Sequence, residues 1–140
     1  MKKLNLLIAL VCVMCSCHKH KEQPVQEATI IGQWEWVKTP GSWGGPETPQ
    51  STGKSWTITF KSDSSFLRSG DYMIQAMPDQ TGTFNLNTGN LINGLGNGLY
   101  VTLRSPNMNP WVFRSFLSGN SLILDSGSPF DAPSFYFVKR

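Results

Sequence analysis

From Ile30 onward, apolar residues recur at every second position in short runs, and this period of two constrains the fold more than any other feature. Trp56, Ile58 and Phe60 alternate with Thr57, Thr59 and Lys61, and Leu99, Val101 and Leu103 alternate with Tyr100, Thr102 and Arg104. Successive side chains of an extended chain point to opposite faces, so such alternation predicts strands with one buried and one wet face. Eight strands are predicted, over about 30–38, 55–61, 64–69, 81–87, 98–104, 110–117, 120–125 and 134–139. No part of this region shows helical spacing with caps.

The intervening segments fit that reading. Lys61-Ser62-Asp63-Ser64 and Ser118-Gly119-Asn120 have hairpin length and residues that tolerate positive φ or bond their own backbone. Residues 39–53, 87–98 and 126–133 are longer loops rich in Gly, Pro, Asn and Ser, whereas 71–80, "DYMIQAMPDQ", either extends a strand or forms a separate hairpin tip. Eight consecutive antiparallel strands close most simply into an up-and-down β-barrel, because closure leaves no sheet edge unpaired. A β-sandwich is the alternative, since periodicity does not distinguish one closed sheet from two facing ones.

The first 29 residues follow other rules. Met1-Lys2-Lys3 is cationic and Leu4 to Met14 is almost wholly apolar, the pattern of a secretory signal. That run falls short of the roughly 20 apolar residues a membrane-spanning helix needs. The next segment, "VCVMCSCHKHK" (11–21), holds every Cys and His of the chain. Cys15, Cys17, His18 and His20 are potential zinc ligands, but they share one short stretch. A structural zinc site pairs such a cluster with a distant one to close a loop.

Val13-Met14-Cys15-Ser16-Cys17 resembles a bacterial lipobox, in which a small residue precedes an acylated cysteine. The resemblance implies cleavage after Ser16 and acylation of Cys17, with Cys15 as the competing position. It also implies anchoring to the outer membrane, facing either the periplasm or the exterior. Three units are therefore expected: a lipoprotein signal peptide (1–16), a lipidated Cys with a flexible polar tether (17–29), and the barrel (30–140). At roughly 3.3 Å per residue the tether reaches at most about 40 Å. Losing Lys2 and Lys3 leaves ten Lys and Arg against nine Asp and Glu. That near-balance, with no basic stripe, argues against nucleic acid as a partner.

Ile31-Gly32-Gln33-Trp34-Glu35-Trp36 opens the first strand, and its Gly-x-Trp resembles the first motif of lipocalins. The ordered set "TPQSTGK", "TITF", "TGTF", "SLILD" and closing "FYFVKR" is similar to short bacterial lipocalin-like lipoproteins across nearly the whole barrel. In that family the tryptophan packs inside the closed end of the barrel, and a basic residue from the last strand lies across it. The resemblance implies these structural roles for Gly32, Trp34 and either Lys139 or Arg140. It further implies a monomer that binds a small apolar or amphipathic ligand and needs no cofactor.

An eight-stranded barrel holds either its own side chains or one small ligand. The chain has 5 Trp, 3 Tyr and 8 Phe, all beyond the signal, so a filled interior and a ligand cavity are both open. Trp36, Trp56, Trp111 and Phe113 are candidate ligand contacts on predicted strands. Trp43, in the first long loop, either caps the mouth or packs against the rim. Arg68, Arg104 and Arg114 lie within strands, where an inward guanidinium would anchor an acidic head group and an outward one would be solvated. Of these, Arg104 is taken as a candidate ligand contact.

With both histidines on the tether and no cysteine beyond Cys17, the body lacks the parts of a Ser-His-Asp or Cys-His arrangement. Asp63, Asp79 and Asp131 sit in predicted turns and Asp125 ends a strand, which gives each a backbone-bonding role. A binding module without catalysis is the expected function. The alternative is a filled barrel that serves the cell envelope through protein or glycan contacts.

Overall fold

A computed structural model describes residues 29–41, 45–71, 79–92, 95–106, 108–127 and 133–140. Eight strands run in chain order: β1 (Gly32–Lys38), β2 (Trp56–Phe60), β3 (Ser65–Gly70), β4 (Gln80–Gly89), β5 (Gly98–Arg104), β6 (Trp111–Ser118), β7 (Ser121–Asp125) and β8 (Ser134–Lys139). Each pairs antiparallel with the next, and β1 also pairs with β8, so the sheet is a closed up-and-down barrel rather than a sandwich.

The period of two maps directly onto the wall. Trp34 and Trp36 from β1, Trp56, Ile58 and Phe60 from β2, and Leu122 and Leu124 from β7 are all buried in one core cluster. Their alternating neighbours form the outer surface. Full burial of such side chains stabilises by roughly 1.5–3 kcal/mol each relative to exposure, and no disulfide joins the described residues.

Alternation sends the connections to two ends. The β1–β2, β3–β4, β5–β6 and β7–β8 connections leave from one end, the mouth. Thr29, Arg140 and the turns at 61–64 and 119–120 lie at the other. The 61–64 turn closes through Ser64 N–H donating to the Lys61 carbonyl at 3.1 Å and Lys61 N–H to the Ser65 carbonyl at 2.9 Å. Ser64 takes φ 64° there, a left-handed conformation usually left to glycine.

One short helix, α1 (Pro49–Thr52), corrects the expectation of a body without capped helices. Thr48 Oγ1 accepts from Ser51 N–H at 3.1 Å while Ser51 Oγ accepts from Thr48 N–H at 2.9 Å, a reciprocal capping box. Gly53, at φ 70°, stops it after one turn. A single turn has no hydrophobic period, so only the cap residues could have signalled it.

The loop after β4 folds back along the outer wall. Tyr100, on the face of β5 opposite Val101 and Leu103, is nevertheless fully buried, and its hydroxyl donates to the Gly96 carbonyl at 2.6 Å. Arg114 holds the same loop by donating to the carbonyls of Leu95 and Asn97. β4 also outruns β3: their pairing begins at Ser65 opposite Thr83, and Asn85–Gly89 pairs with β5 alone among the named strands.

Candidate functional site

At the end that carries the termini, the interior is sealed. Trp34 has no exposed surface, and its indole N–H donates to the Ile30 carbonyl at 2.7 Å. The Lys139 ammonium lies 5.3 Å from the Trp34 ring centre. Gly32 makes room for that lysine, because a Cβ there would stand 2.9 Å from Lys139 Cε. Arg140 turns to the outer face and pairs bidentately with Glu35, at 2.8 and 2.9 Å. Lys139, not Arg140, is therefore the cation over the motif tryptophan.

Above this plug an aromatic layer crosses the barrel. Trp36 stacks on Trp56 with ring centres 6.3 Å apart, and Trp56 meets Phe137 and Phe135 edge-on at 4.9 and 5.5 Å. Phe135 contacts Phe113 at 6.1 Å, which contacts Trp111 at 6.2 Å. The Trp36 indole N–H is satisfied by Thr39 Oγ1 at 3.0 Å. Trp36, Trp56 and Phe113 are thus buried core residues, with Trp56 and Phe113 joined through Phe135.

Beside the layer a shallow pocket opens to solvent at the mouth, with a cavity volume of about 20 Å3. Phe66, Leu103 and Trp111 supply its apolar walls, and Gln80, Ser105, Met108 and Asn109 its rim. Arg68 also lines it, the only charged residue among the described ones that does so. Arg68 shares the inward face of β3 with Phe66, is only 3% exposed, and sits with its guanidinium carbon 6.0 Å from the Trp111 ring centre. At the rim Gln80 donates to Met108 Sδ, fastening the start of β4 to the loop before β6.

The other expected site residues fall elsewhere. Arg104 is exposed, one residue past inward Leu103 and therefore on the opposite face of β5, away from the pocket. Arg114 is engaged with the outer loop and stands over Phe116 at 4.9 Å. Cys17, Trp43 and Asp131 lie outside the described residues. Pocket residues Phe66, Gln80, Ser105, Met108 and Asn109 were not anticipated. Phe66 lies on a predicted strand, but apolar Leu67 on the other parity leaves its direction to the register, and the loop residues carry no pattern.

The turn carboxylates hold backbone. Asp63 accepts from Ser65 N–H at 2.9 Å and Ser65 Oγ at 2.6 Å, and the hydroxyl bond, with the backbone bond next, holds its carboxyl below the usual range. Asp125 accepts from Gly127 N–H at 3.1 Å and Ser134 Oγ at 3.0 Å, and Asp79 accepts from Gly70 N–H at 3.3 Å. Among the described residues, no three His, Cys, Asp or Glu side chains converge on a metal-sized site. Nor is any described helix long and apolar enough to cross a membrane, which bears only on helices.

No protein-family model, curated protein or solved structure matches the chain.

Proposed function

We propose that this protein is a lipid-anchored cell-envelope barrel that binds a small apolar or amphipathic ligand at its mouth, without catalysis. The observation that carries this reading is the pocket over the aromatic layer, whose apolar walls surround one buried cation. Apolar walls with a few placed polar groups are the usual make-up of a small-molecule site. The anchor is argued from the sequence of residues 1–17 alone: Cys17 takes the lipid, and Thr29, where the described chain begins, lies at the end opposite the pocket.

Tryptophan fluorescence tests the binding. Fatty acids, haem, bile acids and small aromatic acids are titrated into the protein, and saturable change with at least one class is expected, because Trp111 lines the pocket. A flat response across the whole panel refutes it. Incorporation of labelled palmitate in expressing cells tests the anchor, with loss in Cys17→Ser expected and retention refuting it.

The filled aromatic layer favours a second reading, an envelope module that works through its outer loops. A flat titration together with specific capture of an envelope protein or glycan would establish it.

A further inference from the structure

We infer that the free edge of β4, Asn85–Gly89, pairs with the same edge of a second copy, making a two-fold dimer centred on Asn87 in place of the monomer that the resemblance to lipocalins implies. This pairing is independent of the mouth pocket and of what it binds.

The edge is left bare by a mismatch in strand length. β3 begins at Ser65 opposite Thr83, and its turn reaches one residue further, where Phe84 N–H donates to the Ser64 carbonyl at 2.8 Å. Beyond that bond β4 runs on through Asn85–Gly89, about 17 Å of extended chain. It stays paired with β5 in unbroken register, to Gly89 opposite Gly98. Because Phe84 N–H points away from β5, antiparallel alternation turns the N–H and C=O of Leu86 and Thr88 the same way. Among the described residues no strand pairs with β4 on that side of Asn85–Gly89. The loop after β4 leaves the edge clear, since Arg114 of β6 holds it on the other side of β5.

This edge lacks the devices that keep exposed strands apart, which are charges, prolines and bulges. No charged residue and no proline occurs from Gln80 to Leu103, and β4 carries no bulge against β5. Asn85, Leu86, Asn87 and Thr88 are all exposed, Leu86 by 45%.

The segment is also self-complementary. In a two-fold interface the same patch meets itself, so a charge near the axis would face its own like, and there is none. With the axis at Asn87, Leu86 of each copy faces Thr88 of the other, and each such pair exchanges both of its backbone hydrogen bonds. The two Asn87 side chains meet at the axis, where each amide can donate to the other's carbonyl oxygen. Leu86 and Thr88 of both copies share one face, which covers part of the exposed leucine. A contact this short makes a weak, transient dimer.

Sedimentation equilibrium on the full chain, in reductant and density-matched detergent, follows the dimer from about 10 µM to 1 mM, the range of weak association. Self-association is expected in the unmodified protein. Asn87→Asp sets like charges face to face and should weaken it at least about tenfold. Asn85→Asp, whose two copies stand about 14 Å apart along the pair, should change it less than about threefold at about 0.15 M salt. Both residues are exposed, and circular dichroism verifies each fold. A second measurement replaces Cys12, Cys15 and Cys17 with Ser and oxidises with copper phenanthroline. Asn87→Cys should then form a disulfide-linked dimer, because Cα atoms about 4.5 Å apart suit that bond, and Asn85→Cys should not. A monomer at every concentration, equal effects of the two aspartates, or equal cross-linking at 85 and 87 overturns the inference. So does protection of the Leu86 and Thr88 amides from exchange in a monomer, which would give the edge to another segment of the same chain.

Discussion

Replacing Trp34 with Phe tests whether the closed end of the barrel is held by its indole. The substitution deletes an N–H that donates to the Ile30 carbonyl at 2.7 Å inside a site with no solvent access. Stranding that buried carbonyl costs about 1–3 kcal/mol. The missing atoms of the smaller ring add about 1–2 kcal/mol of lost burial and cavity. Part of the Lys139 interaction, about 0.5 kcal/mol, goes with the larger ring. A loss of about 4 kcal/mol results. For a domain of this size, with a urea slope of about 2 kcal/mol per molar, the unfolding midpoint should fall by about 2 M. Far-ultraviolet circular dichroism is the proper monitor, because the substitution also removes a fluorophore. Trp36→Phe is the internal control: its N–H donates to the Thr39 hydroxyl, a rotatable group near the mouth that finds another partner more readily. A shift below about 0.5 M urea for Trp34→Phe, or one no larger than for Trp36→Phe, refutes the plug.

Other consequences are directly measurable. Ser64→Gly should stabilise by up to about 1 kcal/mol in the same urea experiment, since relief of the left-handed strain at φ 64° outweighs the extra entropy of glycine. Gly32→Ala should destabilise by about 1–3 kcal/mol, because φ is +132° and the new Cβ would meet Lys139, and it should weaken the Lys139 contact with Trp34. Arg114→Met should release the loop that covers Tyr100, read as faster amide exchange around 95–100 with the barrel strands still protected. Glu35 is held below its ordinary pKa, first by the hydrogen bonds from Arg140 and then by that residue's charge. A carboxyl lowered in the folded state stabilises above its unfolded value near 4.3 and loses that contribution as pH falls through the folded value. The stability difference between the parent and Glu35→Gln should therefore be present at pH 7, begin to decline as pH falls below about 4.3, be gone once pH is below the lowered folded-state value, and stay small throughout, because the pair is exposed.

Strand positions were legible because a half-buried barrel wall imposes its period on the sequence: β5 runs from Gly98 to Arg104 and β8 from Ser134 to Lys139, as the alternation alone indicates. Closure was legible from strand count and the absence of long crossovers. The pocket was not. Arg68 follows Phe66 and Leu67, apolar residues on both parities, so only the register of β3 against β2 and β4 decides which of them faces in. Tyr100 lies on the outward parity and is buried by a loop whose fold-back no local pattern encodes. The partner of Trp34 also needed the register, which sets Trp34 opposite Lys139 and leaves Arg140 one step beyond. What escaped the sequence was everything decided by contacts between distant segments.

The seam between β1 and β8 bears on how this protein can be handled. Lys139 Nζ reaches the Thr29 carbonyl at 3.4 Å, so the two ends of the barrel chain emerge side by side, and the pocket opens at the far end. A short linker from 140 to 29 would permit circular permutation, with new termini cut at the Ser118-Gly119-Asn120 turn and no strand broken. A label or surface attachment at Arg140, or at Thr29 of a barrel-only chain, sits at the Trp34 end, so a protein immobilised there presents its mouth to solution.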